Sequence, residues 1–319
     1  MNKLDIQTLV TYDTEQPADS VEWCPQEGWE DIFVCGTYQL ERDQESSLAN
    51  RKGRILLQRY NEEATNEPLT LLQTIERSAV LDQKWNPTQR NQLAAAGADG
   101  SLAIYALTGT TGEPVLEHQT AAALHGDETN DQNLLALALD WSADGKRIRF
   151  DHLPCALYLA GGDDSLLCMH DIRCPDEPIM KGKNKTHAAG VTCMLSFAER
   201  DHALLTGSYD ENVRLFDERQ LKASVSELPL HGGVWRLRSN PHRNPDQILC
   251  GCMYHNFSVV QLKADDSFEL IGEYGEHASI CYGCDWQQVG ANYRAGKRII
   301  ATCSFYDHKL CVSEISTPV

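Results

Sequence analysis

The sequence has no long apolar run, and its N-terminus has no secretory pattern. The longest apolar run is Leu134–Leu139, whereas a membrane-spanning helix needs about 20 such residues. Met1–Val10 has no basic start followed by an apolar core, the arrangement that a secretory signal requires. Twelve cysteines occur at scattered spacings. We therefore expect a cytoplasmic protein with reduced thiols and no membrane partner.

Basic residues are scarce. The 319-residue chain has 28 lysines and arginines against 46 aspartates and glutamates, a formal net charge of -18. Such a charge opposes binding to a nucleic-acid backbone or an anionic membrane, and it would attract a cationic partner.

Familiar catalytic signatures are missing as well. The chain has no Gly-x-Ser-x-Gly elbow, no His-Glu-x-x-His and no phosphate-binding glycine loop. Its Cys281-x-x-Cys284 stands alone and lies on a predicted strand, which favours a packing role over a metal or redox site. The sequence therefore implies no cofactor and no metal, and any activity must be built from loops.

What the sequence does contain is a repeated phrase. An apolar stretch leads into small residues and glycine, then a polar turn, then alternating apolar residues, which is the pattern of a β-hairpin. The copies are Leu93–Tyr105, Leu157–Asp171, Leu204–Asp217, Ile248–Leu262 and Ile299–Val312, with a weaker one at Ile32–Tyr38.

The repeat predicts an all-β chain folded as a single WD40-type β-propeller. Most hairpins follow a short strand that ends in an aromatic residue, and the units recur every 40 to 60 residues or so, as propeller blades do. Leu4–Tyr12 is predicted to complete the last blade, and the polar stretches Glu41–Arg51 and Thr108–Asn133 are predicted to be loops. Six units are recognisable, at approximately 20–60, 79–107, 137–173, 190–219, 233–263 and 280–315.

The hairpin turns should collect on one face beside the central channel, and several carry tyrosine. Tyr38, Tyr209 and Tyr306 occupy such turns, with carboxylates nearby in sequence. Aromatic faces attract a quaternary ammonium, so these side chains are predicted to bind a cationic group. The same residues also fit solvated turns, or tyrosines packed flat between blades.

A glycine pair precedes an inner strand on the same face. The N–H groups of Gly232 and Gly233 could stabilise an oxyanion, although the pair also fits a tight entry into the strand. Trp235 and Arg236 follow directly and are predicted to contact substrate.

His187 has a structural explanation. WD repeats place a histidine before an inner strand, bonded to a strand hydroxyl and a turn aspartate. Thr206 and Asp210 are suitably placed to supply these groups. We therefore expect His187 to hold the fold together.

Taken together, the motifs resemble one family, the WD-repeat diphthine methylesterases of diphthamide biosynthesis, also catalogued as diphthine methyltransferases. The similar stretches are Ala18–Pro25, Cys35–Leu40, Leu137–Ser142, Gly161–Asp164, Gly207–Glu211, Gly232–Arg236, Tyr282–Trp286 and Ser304–His308. The resemblance implies hydrolysis of the methyl ester of methylated diphthine on translation elongation factor 2. That substrate is a modified histidine with a trimethylammonium group.

Such an ester hydrolysis needs a general base. His308 is the candidate from sequence, because histidine titrates near neutral pH and the turn should place it on the channel face. Asp164 or Glu211 from other blades could orient it.

The chain departs from the family in one large respect. The family resembles a seven-bladed ring, whereas six units are recognisable here, which predicts that about one blade is missing after Trp141. The turn at Cys252–Phe257 also departs from the family pattern. A scaffold without catalytic activity, holding a protein complex, is the alternative function.

Overall fold

A computed structural model describes most of the chain as strands and turns. The described residues are 4–42, 49–64, 66–109, 113–123, 136, 138–141, 148–150, 158–161, 165–171, 174–180, 186–197, 200–241, 244–288 and 298–317. Strands account for every regular element among these residues, which form antiparallel sheets. No helix that could cross a membrane occurs in this described part.

Sheets I and II come from the first third of the chain. In sheet I, the order β2-β3-β5 is extended by β4 and β6, which both pair with β5, while sheet II has the order β7-β8-β9-β10. The strands of sheet I are β2 (Ala18–Trp23), β3 (Ile32–Thr37), β4 (Gln39–Arg42), β5 (Ala49–Tyr60) and β6 (Leu69–Ser78). Those of sheet II are β7 (Val80–Trp85), β8 (Gln92–Gly97), β9 (Ser101–Thr108) and β10 (Val115–Ala123).

The middle of the chain forms two smaller sheets within the described residues. Sheet III pairs β11 with β12, and sheet IV has the order β13-β14-β15. The strands of sheet III are β11 (Leu139–Trp141) and β12 (Ile148–Phe150), and those of sheet IV are β13 (Tyr158–Gly161), β14 (Leu167–Asp171) and β15 (Cys174–Met180). Among the described residues, β11 pairs with β12 and β13 pairs with β14, so the segment predicted as one unit at 137–173 contributes strands to two sheets. The bounds of that unit stay a prediction.

Three four-stranded sheets complete the described structure. Sheet VII has the order β1-β26-β25-β24, so the first strand of the chain pairs with the last, from Asp5 opposite Ser316 to Asp13 opposite Lys309. Sheet V comprises β16 (Val191–Ser196), β17 (Ala203–Ser208), β18 (Asn212–Asp217) and β19 (Ser226–Pro229). Sheet VI comprises β20 (Arg236–Ser239), β21 (Gln247–Cys252), β22 (Asn256–Leu262) and β23 (Phe268–Tyr274). Sheet VII comprises β24 (Cys281–Trp286), β25 (Arg298–Ser304), β26 (Lys309–Ser316) and β1 (Asp5–Asp13).

Two predicted loops are wrong. Thr108–Asn133 contains β10, the outer strand of sheet II, whose exposed face made its alternation hard to recognise. Glu41–Arg51 contains the end of β4 and the start of β5, which pair from Gln39 opposite Lys52 to Arg42 opposite Ala49. β10 pairs only with β9 among the described strands, and most of its side chains are exposed.

The core lies between neighbouring sheets. Second strands such as β3 and β21 are buried on both faces, which explains their nearly continuous apolar sequences. Tryptophans at the ends of first strands link one sheet to the next: the Nε1 atoms of Trp85, Trp141 and Trp286 donate to carbonyl oxygens at 3.3, 2.9 and 3.0 Å. The acceptors are Glu22, Lys84 and Arg238, each on the first strand of the adjacent sheet. This side-by-side packing of first strands is the architecture of a WD40-type β-propeller.

Candidate active site

Backbone hydrogen bonds place the hairpin turns at one end of the central channel. The N–H groups of Tyr38, Tyr209 and Phe305 donate to the carbonyls of Pro17, Gly190 and Ile280 at 2.8, 3.0 and 3.1 Å. Each acceptor immediately precedes the first, channel-lining strand of the same sheet. The turns between second and third strands therefore surround the channel mouth.

Six aromatic side chains form a continuous surface there, which we call the aromatic rim. Its members are Tyr38, Tyr209, Trp235, Tyr282, Phe305 and Tyr306. Successive ring centroids are 6.0 Å apart from Tyr209 to Trp235, 5.0 Å from Trp235 to Tyr282 and 5.5 Å from Tyr282 to Phe305. Phe305 also lies 5.0 Å from Tyr306 and 5.7 Å from Tyr38.

The three rim tyrosines singled out from sequence differ in exposure. Tyr306 is 71% exposed and Tyr209 is 42% exposed, so neither is packed flat between sheets. Tyr38 is half-buried against Ala79, Leu81 and Ala98, and its hydroxyl accepts a hydrogen bond from Arg51 Nε at 3.1 Å. Tyr209 and Tyr306 are thus open to a ligand, whereas Tyr38 contributes mainly to packing.

Sequence reasoning missed Tyr282 and Phe305, which join the other rings. Tyr282 lies inside the Cys281-x-x-Cys284 segment, whose pattern points to its thiols, and Phe305 precedes the Tyr306-Asp307-His308 turn. Phe305 occupies the same turn position as Tyr38 and Tyr209, as its backbone hydrogen bond shows. Aligning the turns by that position would have identified it.

Below the rim, the channel is filled by charged side chains on the first strands, which we call the interior network. Its members are Glu22, Asp82, Lys84, Arg236, Arg238 and Asp285. Lys84 Nζ lies 2.9 Å from Glu22 Oε1 and 3.5 Å from Asp82 Oδ1. Arg236 Nη1 lies 2.8 Å from Asp82 Oδ1, which links sheets VI and II across the channel.

Arg238 completes the network. Its Nη2 atom contacts Glu22, and its Nε atom lies 3.7 Å from Asp285 Oδ1. Asp285 Oδ2 also accepts a hydrogen bond from the backbone N–H of Trp23 at 2.8 Å. Glu22 and Asp285, the acidic residues before Trp23 and Trp286, therefore join neighbouring sheets, which is an architectural role.

The surroundings of Asp82 favour its ionised form in the pair with Arg236. Burial opposes charge on Asp82, but Arg236, Lys84 and the Leu139 N–H, at 3.0 Å, together hold the pKa of Asp82 below its usual value. Arg236 was predicted to contact substrate, and the structure places its guanidinium in this buried pair.

The glycine pair before β20 packs against the next turn. A Cβ atom on Gly232 would collide with the carbonyl oxygen of Cys252, and one on Gly233 would lie 2.8 Å from Met253 Sδ. Close packing therefore accounts for both glycines. Their role in holding an oxyanion stays a prediction.

Two buried histidines form hydrogen bonds to hydroxyl groups of their own sheets. His187 Nε2 lies 2.9 Å from Thr206 Oγ1, while Asp210 accepts from the Ala188 N–H at 2.8 Å instead of contacting the ring. His277 lies between Thr302 Oγ1 and Ser304 Oγ, at 2.8 and 2.5 Å, and sequence reasoning missed it. Burial lowers the pKa of each ring to about 4, so both are neutral at physiological pH.

His308 begins the outer half of sheet VII. It has a positive φ of 53°, and its carbonyl accepts from the Thr14 N–H at 2.9 Å, beside the outermost strand β1. Glu211 is exposed in the turn between β17 and β18. Asp164 lies outside the described residues. The structure thus brings no carboxylate to the His308 ring among the residues it describes, and the assignment of His308 as base stays a prediction.

Comparison with known proteins agrees with the architecture. Residues 180–217 match the family model "WD domain, G-beta repeat". The C-terminal WD40 domain of Sif2 superposes with a TM-score of 0.61 at 13% identity, covering 100% of this chain and 99% of that one. A chain of the mitotic checkpoint complex gives a TM-score of 0.54 at 15% identity, covering 98% and 93%. The protein is a WD40 propeller.

Sequence relatives define the family. Diphthine methyltransferase of Mus musculus is 32% identical, with 88% of this chain and 69% of the relative covered, and that of Homo sapiens is 31% identical, with 87% and 74% covered. The Schizosaccharomyces pombe protein of that name is 28% identical over 94% of this chain and 95% of its own. The chain belongs to the diphthine methyltransferase family.

The mouse alignment extends over 341 residues, more than the 319 of this chain. The relative therefore has residues without a counterpart here. The absence of about one blade after Trp141 stays a prediction.

Proposed function

We propose that this protein is a diphthine methylesterase. It would hydrolyse the methyl ester of methylated diphthine on translation elongation factor 2, giving diphthine and methanol and allowing the final amidation to diphthamide. The observation that carries the proposal is the aromatic rim, in a protein of the diphthine methyltransferase family.

The rim suits the substrate's cationic group. Trp235 lies between Tyr209 and Tyr282 with centroid separations of 6.0 and 5.0 Å, so one trimethylammonium group could contact several ring faces. A quaternary ammonium has no N–H to donate, so aromatic faces recognise it better than hydrogen-bond acceptors do. The net charge of -18 would steer such a cation toward the protein.

The test is methanol release. Purified protein is mixed in excess with elongation factor 2 carrying the diphthine methyl ester, and methanol and the mass of the modified peptide are followed. We expect methanol in proportion to ester and a peptide lighter by one methylene. Elongation factor 2 that already carries diphthine is the matched control and should release none.

Two other results would overturn the proposal. Binding without methanol release, with the protein in excess, would indicate a scaffold. Gain of a methyl group by diphthine in the presence of S-adenosylmethionine would indicate the transfer reaction that the relatives' name describes.

A further inference from the structure

One carboxylate at the channel mouth stands apart from the interior network. Asp19 lies in β2 at a register irregularity between Ala18 and Ser20, where the strand passes the hairpin turn of its own sheet. Tyr282 follows Cys281 at the corresponding irregularity of β24. Asp19 therefore occupies in sheet I the place that a rim tyrosine occupies in sheet VII.

Charged and titratable groups from several sheets surround Asp19. Arg236 on β20 and Asp82 on β7 act on its carboxylate. Burial is the main cause that raises the pKa values of Tyr282 on β24 and Cys303 on β25, and the Asp19 carboxylate adds to both rises. Glu22 follows on β2 itself. The Asp19 carboxylate is thus near Tyr282 of the rim and near the Arg236–Asp82 pair of the interior network.

Asp19 is also buried without a full set of partners. It is 5% exposed, and its Oδ1 atom accepts no hydrogen bond from any described residue. The indole N–H of Trp235, on the rim, is likewise buried and unpartnered there. Buried polar atoms are almost always satisfied, so an unpaired oxygen beside a ligand surface indicates a site that substrate or water completes.

We propose that Asp19 is the general base of the ester hydrolysis. This inference rests on the proposed function. With the trimethylammonium group on the rim, a water between Asp19 and the ester carbonyl gives its proton to the Asp19 carboxylate while its oxygen bonds to the carbonyl carbon. The tetrahedral intermediate then expels the methoxy group, which takes the proton back from Asp19 and leaves as methanol. The product is a carboxylic acid, which ionises in solvent.

Burial and charge adjust Asp19 to this task. Burial raises its pKa to about 7, with Asp82 adding to the rise and Arg236 opposing it. A base with such a pKa is ionised above neutrality yet basic enough to accept a proton from water. The hydrolysis rate should therefore rise with pH through about 7 and then level off.

The decisive measurement is the single-turnover rate across pH for the parent and Asp19→Asn. We expect the variant to lose about a hundredfold or more at pH 8 and to lose the rise through neutrality, because an amide cannot accept the proton. Glu117→Gln, an exposed change on outer strand β10, is the matched control and should follow the parent.

Chemical rescue separates catalysis from packing. Formate should raise the rate of Asp19→Ala by about tenfold or more, since it supplies a carboxylate to the space left behind. Thermal unfolding of each variant checks the fold, and Asp19→Glu provides a carboxylate variant if Asp19→Ala does not fold.

The outcomes distinguish the two proposals. If the parent releases no methanol, the esterase function fails. If the parent is active but Asp19→Asn keeps a rate within about threefold at every pH, Asp19 is not the base and the esterase function stands. A hundredfold loss with an unaltered pH profile and no formate rescue would make Asp19 a structural residue.

Discussion

Buried carboxylates at the mouth and in the interior of the channel differ in their hydrogen-bond and charge partners. In the interior, Asp82 contacts Lys84 and Arg236 and accepts a backbone N–H. At the mouth, Asp19 is also almost completely buried, yet one of its oxygens has no partner among the described residues. The two side chains come from first strands of adjacent sheets, so the difference lies in their neighbours.

The presence or absence of partners indicates whether a buried carboxylate stabilises the fold or is free to react. The attraction between a buried charge and its partners offsets the free energy lost on desolvation. When one partner is removed, the desolvation of the remaining charge is no longer offset. Burial instead raises the pKa of Asp19, and its unpaired oxygen remains available to substrate. The interior network should therefore matter chiefly for stability, and the mouth chiefly for activity.

The largest expected effect is on stability, from Asp82→Asn. The change leaves Arg236 and Lys84 buried with less compensating charge, so we expect the free energy of unfolding to fall by about 3 to 5 kcal/mol. Urea denaturation measures it.

Asp19→Asn is the comparison for that experiment. Its folded pKa of about 7 lies above the usual aspartate value of 3.8, so the folded state holds the proton more tightly and stability falls as pH rises between these values. At pH 8 the variant should equal or exceed the parent in stability. A loss from Asp19→Asn as large as that from Asp82→Asn would abolish the distinction between mouth and interior.

The fold was largely accessible from sequence because each sheet repeats the same local physics. Tight turns and period-2 alternation marked the hairpins, and the aromatic ends of first strands marked the sheet-to-sheet contacts. Peripheral strands such as β10 escaped detection because one face is solvated and their residues are polar. Their strand identity comes from pairing with a neighbour and is not encoded locally.

The candidate site was only partly accessible. Tyrosines in turns pointed to the rim, but the contacts of Trp235 with Tyr209 and Tyr282 depend on how sheets V, VI and VII meet. Asp19 gave no signal, since its burial and lack of a partner arise from the packing of distant strands. Spacing in one sequence contains no information about a missing hydrogen bond.

A smaller effect, on substrate binding, tests whether the channel mouth holds the substrate. Tyr209→Ala removes a rim face that is 42% exposed in the free protein, so substrate use should weaken by about 1 to 2 kcal/mol, or roughly 5- to 30-fold. The effect should appear in KM, with the unfolding free energy nearly unchanged. Steady-state methanol release against substrate concentration measures it.

Tyr254→Ala is the control for that change. Tyr254 is also a turn tyrosine, and at 80% exposure it has no ring contact with the aromatic rim in the described residues. We expect it to behave as the parent. Equal effects from the two variants would mean that turn tyrosines act through general surface properties and that the rim is not a cation site.

The smallest expected effect concerns His308, the base predicted from sequence. It lies at the start of β26, beside β1 on the outer side of sheet VII, whereas Asp19 lies near the channel axis. A base must approach the attacking water within hydrogen-bonding distance, so location decides between the two candidates. His308→Gln should therefore keep a single-turnover rate within about threefold of the parent, with the rise through pH 7 retained. A loss of a hundredfold or more, together with a flat pH profile, would return the base to His308 and leave Asp19 as a buried acid without a catalytic task.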